Sequence, residues 1–169
     1  MNFATLFAHL SSHTQAIHAL TRGISLEEAR WKPDAESWSI LEVINHLYDE
    51  ERRDFRVRLD IILHRPAEPF PPIDPPRWVV QEKYNERDLE ASVQNFLDER
   101  ANSLRWLSSL QAPNWDASIT NQFGTITAGE MFSAWVAHDI LHLRQLVELH
   151  YALVARDAEP FGVEYAGEW

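Results

Sequence analysis

Cysteine is absent from this chain of 169 residues. No disulfide can staple it, no thiolate can hold a metal, and any thiol chemistry needs a thiol from outside. Basic residues are few, fifteen against twenty-six acidic ones spread along the chain, a balance that opposes binding to phosphate backbones or anionic lipid. Neither nucleic acid nor a membrane is an expected partner. No apolar run approaches the roughly 20 residues that cross a bilayer, and MNFATLFAHLSSHTQ has neither a basic start nor a small-residue cleavage site. A soluble, cytoplasmic protein is expected. The five glycines are scattered, with no phosphate-binding loop and no dinucleotide fingerprint.

Seven tryptophans and eight phenylalanines supply bulky aromatic surface for a core or a pocket. A single domain of this length buries roughly 70% of its unfolded surface, so no staple is required. Four stretches carry helical periodicity. The first runs from about Asn2 to Leu20, with Phe3, Phe7, Leu10, Thr14 and Ile17 on one stripe and Gly23 beyond its end. A short turn of helix is expected at SLEEAR, where Ser25 and Glu28 have capping-box spacing. The second begins at WSILEV, with Ser39 as cap, Glu42 at the box position and Trp38 stapling onto Val43, and runs to about His64.

The proline-rich RPAEPFPPIDPP after it cannot propagate a helix and is expected to cross the surface in extended or polyproline form. Leu89, Val93, Phe96, Arg100, Leu104 and Leu107 mark a third helix from about Glu86 to Leu110. APNWDASITNQFG reads as a loop with a little extended structure at its end. The fourth helix opens at TAGE, where Thr127 and Glu130 repeat the capping box, and runs to about Val154; the tail RDAEPFGVEYAGEW has no clear period. Rods of these lengths, about 27 to 42 Å, pack side by side. The expected fold is all-α, one domain over residues 1–169, a four-helix bundle of up-down type with a longer connection between the second and third helices.

Chemistry concentrates on the fourth helix, in AWVAHDILHLRQL. With about 100° per residue, Met131, Trp135, His142, Gln145 and Leu149 fall within about 60° of His138, which places both histidines in the middle of the buried stripe. Their i, i+4 spacing lets two imidazoles reach one ion. A third ligand has to come from another helix. On the second helix, Glu50 and Asp54 share a stripe with His46 that is apolar at its ends and polar in the middle, as if His46, with Glu50, faces the His138 and His142 pair.

A structural reading competes for each residue. A lone inward histidine is commonly a hydrogen-bonded core side chain, Trp135 and Met131 are core by default and pocket wall otherwise, and Gln145 fits a group that orients His142 or binds substrate. His9 and His13 sit about 80° to 120° from the centre of their stripe and read as surface or boundary residues. The charge run DEERRD is expected to pair along its helix and face water, apart from Glu50 and Asp54. Ferritin-like di-iron chemistry fails because no ExxH occurs, and HDILH is a poor match to a zinc protease.

WSILEVINHLYDEE, a long gap, then AWVAHDILHLRQL resembles the DinB-like superfamily of four-helix metal-binding proteins, which includes bacillithiol transferases and mycothiol-dependent maleylpyruvate isomerase. The resemblance implies a metal triad of His46, His138 and His142 and a homodimer. Three neutral imidazoles leave a coordination position for water or a substrate atom. The expected function is therefore a metal-dependent S-transferase that joins a low-molecular-weight thiol to a small electrophile, with Glu50 or Asp54 taking the proton and Trp135 and Gln145 lining the pocket. The alternatives are a metal-dependent hydrolase of a small amide or ester, and a non-catalytic module whose metal holds the bundle together. Zinc or nickel leads the expected metals, with iron and manganese behind, since imidazole discriminates little among them.

Overall fold

Local caps set where the long helices begin. In the computed structural model, which describes residues 1–122 and 124–167, helix α1 (Phe3–Thr21) is capped by Asn2, whose side chain accepts from the Thr5 N–H. The expected short turn is α2 (Leu26–Arg30), with both bonds of the Ser25 and Glu28 capping box formed. Ser39 and Glu42 form the same box at the start of α3 (Ile40–Asp49), and Thr127 and Glu130 form it at the start of α7 (Ala128–Ala158). Helix α7 runs four residues beyond the expected end, because nothing in ARDA breaks it before Pro160.

Helix α3 continues through a π-helical turn, Glu50–Phe55, into α4 (Arg56–His64), so residues 40–64 form one rod. In a π turn the bonds run i to i+5, which inserts a residue and rotates the remainder of the rod about its axis. Glu50, Glu51, Asp54 and Phe55 of this turn are all buried. That overturns the water-facing reading of DEERRD: Asp49 and Glu51 are buried as well as Glu50 and Asp54. Asp49 accepts from Arg52, Arg53 and the Tyr84 hydroxyl on the rod's outer side.

The proline-rich connection also departs from expectation. Its Pro69–Asp74 portion has no regular secondary structure, but Pro75 and Pro76 open a helix, α5 (Pro75–Gln81), capped by Asp74. Proline lacks an N–H that the first helical turn does not need, so at that position it starts a helix. Trp78, Val79 and Tyr84 then pack as a small cluster against Trp38. A single turn at Tyr84–Glu86 leads to α6 (Leu89–Ser109), capped by Asp88. Before α7, strands β1 (Ser118–Asn121) and β2 (Gly124–Thr127) pair antiparallel, Ser118 opposite Thr127; Phe123, between them, lies outside the described residues, as do Glu168 and Trp169 of the tail.

Two apolar clusters mark the ends of the bundle. Leu10, Leu59, Ile62, Leu107, Met131 and Phe132 meet at one end; Ile17, Ile40, Ile44, Phe96, Leu146 and Leu153 meet at the other. Along the chain, α1 and α7 therefore run one way and the 40–64 rod and α6 the other. Because the second and third long helices are parallel, the chain must travel back along the bundle between them, which is what the long connection does. Among the described residues no helix is long and apolar enough to cross a membrane.

Candidate metal centre

The 40–64 rod and α7 lie side by side, and three imidazoles meet between them. His46 Nε2 is 3.0 Å from His142 Nε2 and 3.4 Å from His138 Nε2, and the last two atoms are 3.1 Å apart. Ligands at 2.0–2.1 Å from one ion, with angles between octahedral and tetrahedral values, stand about 2.9–3.4 Å from each other. The three atoms match that spacing, so the donor set is compatible with a divalent metal.

Protonation favours the same reading. Burial, together with the charge that His142 and His138 would carry, lowers the His46 pKa to about 2. Burial and His142 lower His138 to about 3, and burial lowers His142 against the pull of Gln145. All three rings are neutral at pH 7, the form that ligates. Gln145 Oε1 accepts from Nδ1 of His142 at 2.8 Å, which puts the proton on Nδ1 and the lone pair on Nε2. Aromatic walls surround the rings. Trp38 meets His46 edge-on at 4.9 Å and lies parallel to His142 at 6.4 Å, while Phe55 packs against His138 at 5.0 Å.

Behind His46 stands Glu50, its Oε1 3.6 Å from Nδ1, and both atoms are buried with no hydrogen-bond partner among the described residues. Burial and the neighbouring Asp54 carboxylate push Glu50 up to about 8. Burial also raises Asp54, against the Arg58 guanidinium 2.5 Å away. The expected site residues thus separate. His46, His138 and His142 converge, Gln145 orients one of them, and Glu50 and Asp54 sit at the far side of the His46 ring. Trp135 is in the apolar core, stacked on Phe55, with its indole N–H donating to Glu51 at 2.8 Å.

The histidines are not in the middle of the buried stripe. Residues fully enclosed on α7 include Trp135, Asp139 and Leu146, so the stripe centres near Asp139 and leaves His138 and His142 half-buried on its border. Asp139 faces the bundle interior instead. There Arg100 grips it with two bonds of 2.7 and 2.8 Å, reaches Glu51 at 2.8 Å, and donates to the Leu10 carbonyl at 3.2 Å. His13, expected at the surface or boundary, is buried with Nδ1 3.4 Å from Asp139, because α1 turns that side toward the cluster; His9 is exposed. Arg100 gave a signal in the sequence, a cation on an otherwise apolar stripe. Glu51 gave none, since it sits in a run of charge and its partners, Arg100 and Trp135, lie on other helices.

An open cleft of about 480 Å³ touches the centre at His142 and is bordered by Trp38, Gln145 and Leu149. A larger one, about 860 Å³, lies between the proline-rich segment and the hairpin, around Arg58 and Phe70, and touches none of the three histidines. The chain superposes on YfiT from Bacillus subtilis, described as a probable metal-dependent hydrolase with an unusual four-helix bundle topology. The TM-score is 0.78 over 89% of this chain and 87% of that one, at 14% identity, a likeness of fold. No curated protein matches the chain. The family model described as the DinB superfamily matches residues 9–146, a span that contains all three converging histidines, the 40–64 rod and α6 entire, and the greater part of α1 and α7. By that match the chain belongs to the DinB superfamily.

Proposed function

We propose that the chain is a metal-dependent hydrolase of small amides or esters. The observation that carries this reading is a group of mutually close donor atoms, Nε2 of His46, His138 and His142, that contains no fourth protein ligand among the described residues. Structural sites close their coordination with four protein ligands, whereas catalytic ones use three. The description of YfiT as a probable metal-dependent hydrolase supports the same reading.

A divalent ion held there, zinc or nickel foremost, would supply a Lewis acid that polarises a carbonyl and makes water a better nucleophile at neutral pH. The protein's own groups do the rest. Gln145 fixes the His142 tautomer, Glu50 stands to receive the Nδ1 proton of His46, and Trp38 and Phe55 keep solvent from the rings. In hydrolysis the water oxygen bonds to the acyl carbon, the C–N or C–O bond breaks, and a proton goes to the departing amine or alkoxide. That proton is the one the attacking water gives up, and Glu50, behind the His46 ring with Asp54 beside it, acts through His46 by orienting the ring rather than on the substrate.

The test is turnover of a chromogenic ester and a chromogenic amide by metal-loaded protein with no thiol present. A rate that falls at least 100-fold in His142→Ala is expected. A rate that appears only when a low-molecular-weight thiol is added would overturn hydrolysis in favour of thiol transfer, and no rate in either condition would leave a metal-stabilised module.

A further inference from the structure

The cleft beside His142 is lined by charge of one sign. Glu36 and Glu148 border it, with Trp38, Pro33, Leu149 and Gln145, and no lysine or arginine is among its lining residues. Glu36 is exposed and its carboxylate has no ion-pair partner among the described residues. Glu148 pairs with Arg144 at 3.1 Å, but both side chains are more than half exposed, so water screens the pair and Glu148 is easily shared. Trp38 lines the same cleft as the two carboxylates and His142, with its ring parallel to the His142 ring at 6.4 Å. Aromatic faces attract organic cations through the ring quadrupole, and flanking carboxylates add to that attraction. A cleft of about 480 Å³ is of a size that takes a small molecule.

We propose that this cleft binds the cationic end of the substrate, an alkylammonium group held against Trp38 between Glu36 and Glu148, while the acyl group reaches the three-histidine centre. The proposal rests on the hydrolase reading and names its substrate class: small esters or amides that carry an ammonium group. The eleven-charge acidic excess of the chain draws such molecules in from solution.

The experiment uses metal-loaded, full-length protein and two matched pairs of probes. Choline and its uncharged tert-butyl isostere are compared for binding by calorimetry, and an acyl ester of each is compared for cleavage. Choline should bind about tenfold more tightly than the isostere, and its ester should show about tenfold higher kcat/KM. The double variant Glu36→Gln, Glu148→Gln should lose that preference with an unchanged melting temperature, because both side chains project from the surface. Equal binding of the two probes overturns the proposal. If both esters are then cleaved at equal, His142-dependent rates, the hydrolase reading survives without it; if choline is preferred in binding and neither ester is cleaved, the ammonium site stands and the hydrolase reading falls.

Discussion

His138 and Asp139 are neighbours on one helical turn, yet they open onto polar clusters of opposite character. On the Asp139 side, all five N–H groups of Arg100 are used, by Asp139, Glu51 and the Leu10 carbonyl, and residues from all four long helices take part. On the His138 side, three ring nitrogens face one another at 3.0–3.4 Å, and with His142 holding its proton on Nδ1 the set is short of donors. The cation of the first cluster is satisfied by the protein alone, although Oε2 of Glu51 and Nδ1 of His13 are buried with no hydrogen-bond partner among the described residues. The second has lone pairs to offer something electron-poor from outside, which is the physical content of calling it a candidate metal centre.

The largest test of that contrast is Arg100→Met. It leaves Glu51 and Asp139 buried without their cation, and a loss of about 3–5 kcal/mol is expected in urea unfolding of the metal-free protein. His46→Ala should behave in the opposite way, abolishing metal uptake by elemental analysis while costing the metal-free protein much less, since it removes one of three crowded neutral rings. If His46→Ala destabilises the metal-free protein more than Arg100→Met does, the two clusters have been assigned the wrong characters.

Acid should separate them next. The folded pKa values of His46 and His138 lie below the unfolded value of about 6.5. Under pH 6.5 the unfolded chain therefore takes up protons that the folded one refuses, so stability present above that pH is lost as it falls, by about 1.4 kcal/mol per pH unit for each ring kept neutral. His142 acts in the same direction. Glu50, pushed up to about 8, acts in the opposite sense and offsets roughly one ring. Burial would raise Asp139, but Arg100 and His13 outweigh it and hold the carboxyl low, so its contribution is lost only as pH falls below about 4. Unfolding of metal-free protein should weaken already between pH 6.5 and 5, and His46→Ala should flatten that slope while leaving the steeper loss below pH 4.

How much of this was legible depends on range. Ser39 with Glu42 and Thr127 with Glu130 are spaced three residues apart, so helix starts could be read directly, and the i, i+4 spacing of His138 and His142 is equally local. Placing His46 opposite them needed only the inward phase of a second helix. Whatever depended on a shift of phase or a distant partner did not show. Glu51 meets Arg100 from another helix, the prolines at 75 and 76 began α5, and Asp139 meets Arg100 and His13 from two further helices. Centring the α7 stripe on His138 hid Asp139 and hid equally that the histidines lie on a border, where a cleft can reach them.

The smallest effect concerns Gln145, and it tests the half-satisfied side of the contrast alone. Its carbonyl is, among the described residues, the one oxygen acceptor within 3 Å of a histidine of the centre, and it acts on Nδ1 of His142 without occupying the ring's ligating atom. Gln145→Ala frees that proton, so His142 can carry it on Nε2 instead, where it would point at the other two rings. Metal affinity should fall about 10- to 100-fold, with little change in the stability of the metal-free protein because the side chain is only half-buried. Gln145→Glu retains an acceptor, now charged, and should restore affinity to at least the original value in a competitive chelator titration. Should alanine and glutamate weaken binding equally, the tautomer of His142 is set by something other than this bond, and the centre would be held in shape by the aromatic walls instead.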